Sequence, residues 1–565
     1  MKKYYSIIVF FLVVMCLNKA SYGQDFDKKE FEQTIQKGIE KAYAASVRIW
    51  GIDAITQKQN SAQFSGVVVD AAGHILTAAH AISPGKKYKV IFPDGKEFTA
   101  EGLGKMGFEP KTGRPDAAMI RIIDQGTWPV AEIGWSYSLK INEPCVSIAY
   151  PTTLNQSLPT VRVGRISDPN NRWGFVQSTC KMEPGDSGGP LFDYLGRVIA
   201  IHSRIDIAEE VNYEIPVDTY RKYWTALNIA KEYQVFPEKT DSFDLDPKEK
   251  EIKSVTALND LKNQFTGFET DLKQTSLVVK STLKGRAEEV LGTLFYLDDK
   301  KAGSKNKSRS FIVTKSSLVG DSIIVYLGGR KLDATIVSRK KELDLALLQL
   351  KIELKTGIKL SSLKEEKTIQ KADLGKFLIS VLPNTANEIS VLSSTVFDIP
   401  KKFSSGYFGA SANFIEEKII LTRINPNSPA AKAGLELKDQ ITGINNVSIK
   451  LPPEYGNEIM KYEPGDTILV QGIRNGTPYN IAVALVNLPQ ASSHPANYFA
   501  GGKSARCDGF NGVFAHDAIL RPEQCGGPLF DQRGNFCGIN IARFSRTSCL
   551  ALSAKQIFDF INLSF

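Results

Sequence analysis

The chain has 565 residues, 42% apolar and 23% charged, with 44 Gly and 26 Pro. This ordinary globular composition excludes a disordered scaffold and a collagen-like repeat, and at about 100–200 residues per domain the length calls for several separate cores. Lys and Arg exceed Asp and Glu by 70 to 61, a formal +9, but the basic residues are dispersed and form no aromatic-interleaved stripe, so nucleic acid is not an expected partner.

Lys2 and Lys3 precede an apolar run from Ile7 to Leu17, followed by Ser21-Tyr22-Gly23. This is the pattern of a cleaved secretory signal over residues 1–23. The run is too short to span a bilayer and no later one is long enough, so the expectation is an exported protein, periplasmic or extracellular, without an integral membrane span. Six cysteines follow Cys16, at 145, 180, 507, 525, 537 and 549. No CxxC or paired His accompanies them, so no metal is expected, and no organic cofactor is called for. Export allows a Cys145–Cys180 bridge, and the four late cysteines allow three pairings.

Phe31, Ile35, Ile39 and Tyr43 recur at helical spacing and lead into a strand at Val47–Trp50. Short β runs then follow one another with turn signals between them: Phe64–Val69, Lys89–Phe92, Ala118–Ile123, Cys145–Ala149, Val161–Ile166, Phe175–Ser178 and Val198–His202. Many short strands without long helices between them predict an all-β domain over residues 24–230. Residues 231–275 are rich in Asp, Glu and Lys, with Leu258, Leu261 and Phe265 at helical spacing, which predicts a solvated linker holding one helix.

The second half repeats the first. Gly188-Gly189-Pro190-Leu191-Phe192-Asp193 returns at 526–531, Asp116-Ala117-Ala118-Met119-Ile120 as Asp344-Leu345-Ala346-Leu347-Leu348, and Ile75-Leu76-Thr77 as Ile312-Val313-Thr314. From Asp116 to Ser187 is 71 residues, whereas Asp344 to Cys525 is 181, so the second copy, residues 276–402 and 489–565, carries an insertion of about 110 residues.

Gly185-Asp186-Ser187-Gly188-Gly189-Pro190 is the strongest local signal. A Ser hydroxyl becomes a nucleophile only when a base takes its proton and donors stabilise the resulting oxyanion. The flanking glycines let the Gly185 and Ser187 N–H groups converge. His80, ending the apolar stretch Leu76-Thr77-Ala78-Ala79, is the expected base, and Asp116, heading an apolar strand, is the expected orienter of its imidazole. His74, in the turn Ala72-Gly73-His74, is expected to face solvent.

These three motifs, in the order His, Asp, Ser, resemble the chymotrypsin-like serine proteases, and the leading helix and absent activation site resemble their HtrA (Do-type) branch. The resemblance covers about residues 30 to 227 and implies a mainly β fold: a double β-barrel, here duplicated, with the site in the cleft between barrels. It further implies a substrate pocket walled by His202, Ser203 and Arg204 with Lys181 at its floor. The insertion, residues 403–488, resembles a PDZ domain through Gly406-Tyr407-Phe408-Gly409-Ala410, Ser428-Pro429 with its short helix, and Gly434. Such modules hold a C-terminal or hydrophobic peptide along a sheet edge, with Tyr407, Phe408, Gly409 and Ala410 at its carboxylate.

In the second copy Ser317 stands where His80 would be, and Cys525 replaces the nucleophile. This predicts a pseudoprotease barrel. The combined expectation is an exported serine endopeptidase acting on protein or peptide substrates, unfolded ones among them, with oligomerisation open. The alternative is a non-catalytic chaperone or peptide-binding scaffold, and the intact first triad favours the enzyme.

Overall fold

A computed structural model describes residues 27–265, 272–298, 308–362, 368–489 and 494–564. The signal segment expected over residues 1–23 lies outside them. The short β runs close on themselves. Strands β1 (Ser46–Gly51), β2 (Phe64–Val68), β3 (His74–Ala78), β4 (Lys87–Ile91), β5 (Glu97–Met106) and β6 (Ala117–Ile122) run in the order β5-β4-β1-β2-β3-β6, and β5 pairs with β6 to close a barrel. Strands β7 (Pro144–Ala149), β8 (Thr160–Asp168), β9 (Gln177–Ser178), β10 (Pro190–Asp193), β11 (Val198–Ile205) and β12 (Asn212–Pro216) run in the order β12-β11-β10-β7-β8-β9. A Val176–Glu214 bridge completes that second ring. A short β13 (Glu232–Tyr233) adds in parallel to β5. The fold is mainly β and built of closed six-strand barrels, as the motifs imply.

The second half repeats both cyclic orders. Strands β14 (Ser276–Leu283), β15 (Arg286–Asp298), β16 (Ser308–Lys315), β17 (Asp321–Leu327), β18 (Arg330–Lys340) and β19 (Leu345–Leu350) pair as β18-β17-β14-β15-β16-β19, with β20 (Ile358–Lys359) added beside β15. Strands β21 (Phe377–Ser380) and β22 (Glu388–Val391) join a further sheet, in which β23 (Phe397–Ile399) pairs at one end. Between them and the rest of that sheet lie the strands of a separate one: β24 (Ala410–Ile415), β25 (Lys418–Ile424), β26 (Gln440–Ile444), β27 (Val447–Ser448), β28 (Thr467–Arg474) and β29 (Thr477–Ala484). The chain then returns with β30 (Phe510–His516), β31 (Pro528–Asp531), β32 (Phe536–Arg543) and β33 (Cys549–Ser553), and a Leu392–His516 bridge closes the ring. The inserted sheet thus occupies the connection corresponding to the one between β8 and β9.

The N-terminal helix Lys28–Ala42 ties the two halves together. Asp27 caps it, accepting from Lys29 and Glu30 N–H, which satisfies donors that a helix start leaves open. Ile35 and Ile39 enter a core shared by Val146, Ile148 and Phe192 of the first half and Leu374, Leu378 and Leu529 of the second. Gly375 has a φ of +82°, which disfavours any side chain, and a Cβ there would stand 2.4 Å from Ile39 Cδ1, so the Ile39 side chain would have to move. The Glu32 carboxylate accepts the Phe377 N–H at 2.7 Å, and Val161 N–H donates to Ser393 O at 2.9 Å. The linker residues Thr256–Asp260 and Leu261–Gln264 form consecutive helical turns, with Leu261 and Phe265 packed into the second half's core.

Truncating Ile39, 3% exposed, opens a cavity on this seam. Ile39→Ala is expected to lower stability by about 2–5 kcal/mol, read as a lower urea midpoint.

Candidate active site

Strand β3 delivers His80. At its end Ala79 N–H donates to Asp116 O at 2.8 Å, and the single helical turn Ala79–Ala81 presents the imidazole. The Asp116 carboxylate is 1% exposed and takes three donors: His80 N–H on Oδ1 at 2.9 Å, with His80 Nδ1 at 2.6 Å and Ser203 Oγ at 2.7 Å on Oδ2. A carboxylate only accepts, so Nδ1 carries the proton and Nε2 presents its lone pair to the cleft. The His80 side chain is 48% exposed there.

Ser187 sits on the turn between β9 and β10. Gly185 has a φ of +100°, and a Cβ there would lie 2.5 Å from Thr152 N and Tyr150 O. At Gly188, φ +80°, a Cβ would stand 2.0 Å from Thr77 Oγ1. The turn is fixed from the first barrel by Ser65, whose N–H donates to Ser187 O at 2.9 Å and whose Oγ donates to Gly185 O at 2.7 Å. From behind it is fixed by a buried fork: Arg162 Nη1 and Nη2 reach Asp186 Oδ2 and Oδ1 at 2.7 and 2.9 Å. Asp186 Oδ2 also accepts Glu183 N–H at 2.9 Å. Such a bidentate pair holds geometry as well as charge, and here it braces the serine turn from behind. The N–H groups of Gly185 and Ser187 find no acceptor among the described residues.

His80 and Ser187 line one cavity of about 680 Å³. Among the described residues Ser187 Oγ makes no hydrogen bond to His80; such contacts are often long before substrate binds. Ser61–Phe64, Thr152, Met182–Gly185 and Ser203–Ile205 form its walls, together with His494 and Pro495 from the far half of the chain. Nothing in the sequence marks His494 and Pro495 for this place. The position of Met182, five residues before Ser187, could have suggested its role.

The structure corrects three sequence expectations. Lys181 does not floor this cavity: its Nζ pairs with Glu209 Oε2 at 2.5 Å, and it borders a different cavity between the two halves. His202 is fully buried inside the second barrel with Nε2 2.7 Å from Ser147 Oγ, because its side chain faces inward from β11 while Ser203, next along, reaches Asp116. His74 is not in a solvent-facing turn; it opens β3, 9% exposed, with Nδ1 2.7 Å from Asp70 Oδ2. Ser203 and Arg204 do wall the cavity, and the Arg204 guanidinium lies 3.7 Å from the Phe108 ring centre. Cys145 and Cys180 are buried thiols with sulfurs 3.9 Å apart.

The corresponding positions of the second half keep the scaffold and change the groups. Thr314 Oγ1 donates to Leu291 O at 2.7 Å as Thr77 Oγ1 does to Ser65 O at 3.0 Å. Gly526 N–H donates to Asn540 O at 2.6 Å as Gly188 N–H does to His202 O at 2.8 Å. Asp344 accepts Ser317 N–H at 2.7 Å and Ser317 Oγ at 2.8 Å. Its remaining partner is the buried Lys315 ammonium at 2.6 Å, which also donates to Arg506 O and Ile541 O, each at 2.8 Å. Cys525 is fully buried, and burial pushes its thiol up to about 12.

In the inserted sheet β24 is an edge strand. Tyr407 N–H donates to Val486 O at 2.8 Å, and Tyr407 Oη accepts from Asn425 Nδ2 at 2.8 Å. Phe408 packs into the sheet's core. Gly409 has a φ of +82°, and a Cβ there would meet Ser428 Cβ at 2.2 Å. The Phe408 and Gly409 N–H groups have no acceptor among the described residues, and Tyr455 Oη donates to Ala410 O at 3.1 Å.

Residues 64–201 match the trypsin-like peptidase domain and residues 406–485 the PDZ domain. Among curated relatives, a putative serine protease HhoA of Synechocystis is 32% identical over 29% of this chain and 42% of its own length. A probable periplasmic serine endoprotease DegP-like of Pseudomonas fluorescens is also 32% identical, over 29% of this chain and 34% of its own. A DegP-like relative from Hahella chejuensis is 23% identical over 75% of this chain and 80% of its own. The chain thus spans less than half the length of the first two relatives. Solved structures of a Yersinia pestis serine endoprotease (17% identity, TM-score 0.29, 80% of this chain and 98% of that one) and the HtrA-type protease AlgW (16%, 0.30, 81% and 99%) also align. No helix among the described residues is long and apolar enough to cross a membrane.

Behind the site, burial raises the fully buried Glu214 carboxyl from 4.5 to about 8, and burial, with the Arg162 charge, lowers His202 to about 3. Folded protein therefore keeps a proton on Glu214 that the unfolded chain releases, and this contribution to stability is lost as pH rises from about 4.5 to about 8. Glu214→Gln keeps the Ser178 contact without titrating. Its urea midpoint should gain on the parent between about pH 5 and pH 8; a constant difference would contradict a neutral Glu214.

Proposed function

We propose that this chain is an exported serine endopeptidase of HtrA type, with Ser187 as nucleophile, His80 as general acid and base, and Asp116 as orienter. The observation that carries the reading is the Asp116 carboxylate, which binds His80 Nδ1 and Ser203 Oγ together at 2.6 and 2.7 Å and so aims Nε2 into the cavity shared with Ser187. As Ser187 Oγ attacks a peptide carbonyl, His80 Nε2 takes its proton, and Asp116 stabilises the imidazolium. The carbonyl oxygen gains negative charge, which the open Gly185 and Ser187 N–H groups receive. His80 then protonates the departing amine, and a water activated by the same imidazole releases the acyl group from Ser187.

In this reading residues 24–230 form the catalytic unit and residues 231–275 the linker. Residues 276–402 with 489–565 form a degenerate second copy, and residues 403–488 are a PDZ module taking C-terminal or hydrophobic peptides at Tyr407, Phe408, Gly409 and Ala410. The named activities of the relatives support the chemistry. At the position matching His80 the second copy offers no imidazole: a Lys315–Asp344 ion pair takes the place of the imidazole–carboxylate pair, and a neutral buried thiol is neither exposed nor ionised.

Ser187→Ala and His80→Ala should each lower kcat on unfolded casein by at least about 10³-fold without loss of fold, and an organophosphate should label the parent once, at Ser187. Unchanged cleavage by Ser187→Ala would overturn the assignment. Native protein at neutral pH should leave Cys525 unalkylated by iodoacetamide under conditions that modify it after unfolding; rapid native alkylation would contradict an inert Cys525.

A further inference from the structure

The strand end that walls the cleft is held by a residue 340 positions away. Strand β11 supplies Ser203, Arg204 and Ile205 to the cavity; beyond β10's last contacts Arg204 and Ile205 pair with β12 on one side only, and Ser203 sits at a bulge in that pairing, leaving an edge beside the cavity that Ser187 also lines. A peptide substrate pairs with such an edge through its backbone. The edge is only as well placed as the turn that follows it, residues 206–211. The Arg546 guanidinium, fully buried, donates Nη1 to Asp206 O at 2.7 Å and Nη2 to Ala208 O at 2.8 Å. Its Nη1 also lies 3.5 Å from the carbonyl of Pro495, and Pro495 itself lines the cavity. In the same contact Glu209 accepts the Ala500 N–H and lies 3.6 Å from Arg543 Nη2.

We propose that Arg546 is a positioning residue for substrate binding at the Ser187 site: the second barrel pair, through Arg546, fixes the turn after β11 and the Pro495 wall, so that the substrate-pairing edge of the first pair is complete only when the second is docked. The inference rests on the proteolytic reading above. It gives the non-catalytic copy a part in recognition, since Arg546 adds two charge-assisted bonds to main-chain carbonyls of a turn that otherwise holds itself through Asp206 N–H to Val211 O and Val211 N–H to Ala208 O, each at 3.1 Å.

The test is Arg546→Met in the full chain, with fluorescein-labelled casein as substrate and diisopropyl fluorophosphate, too small to use the edge, as label. The expected result is a KM raised about tenfold with kcat and the Ser187 labelling rate within about twofold of the parent. Arg546→Lys, which keeps the charge and reaches a single carbonyl, should recover part of the KM. An unchanged KM, or a labelling rate that falls as far as kcat/KM, overturns the proposal. If Arg546→Met does not fold, Arg546→Lys decides alone: an intermediate rise in KM supports the proposal and a parental KM overturns it. A parent that takes no label overturns the catalytic reading itself, a separate outcome.

Discussion

A buried carboxylate must find its donors, and at Asp116 they all border the cleft. Its partners are the backbone and ring of His80 and the hydroxyl of Ser203, which come from two different barrels. The same three bonds that satisfy the charge therefore set the imidazole tautomer, aim it, and register one barrel against the other. Arg162 and Asp186 repeat this logic behind Ser187, where a forked ion pair with both members almost wholly buried holds the turn. In both places order is built from charge that has nowhere else to go.

The second half repeats the strand orders of the first with different groups at the corresponding positions. Asp344 remains buried and remains satisfied, but by a lysine ammonium and a serine. The Thr314 and Gly526 contacts hold strand to turn as those of Thr77 and Gly188 do. What the second half retains is an interface: a shared core around Ile35 and Ile39, a main-chain bond from Val161 to Ser393, and the Arg543–Arg546 segment set against the turn that follows β11. Its place beside the cleft makes it part of the site's architecture.

Much of the fold was legible because its strands bury one or both faces and so carry dense apolar runs; β7 and β11 read directly from the sequence. Strand β5 did not. Gly102 and Gly104 interrupt its pattern, and they are there because a Cβ would strike Ser83 O at 2.2 Å and Leu227 Cα at 2.7 Å, a tertiary fact with no local signature. The motifs around His80, Asp116 and Ser187 were visible because turn chemistry and strand starts are local. Lys181 and His202 were misplaced because side-chain direction depends on barrel register and on partners such as Glu209 and Ser147. His494, Pro495 and Arg546 were invisible: their neighbours in space lie hundreds of residues away.

Everything proposed for this chain requires a nucleophile, a base and two backbone donors to converge in one cleft. The direct measurement is a crystal structure of the protein with a peptide boronate. The expected structure has a covalent bond from Ser187 Oγ to boron, one boronate oxygen within hydrogen-bond reach of the Gly185 and Ser187 N–H groups, and His80 Nε2 on the other. A boronate found elsewhere, or bound with Ser187 unmodified and the two N–H groups turned away, would contradict it.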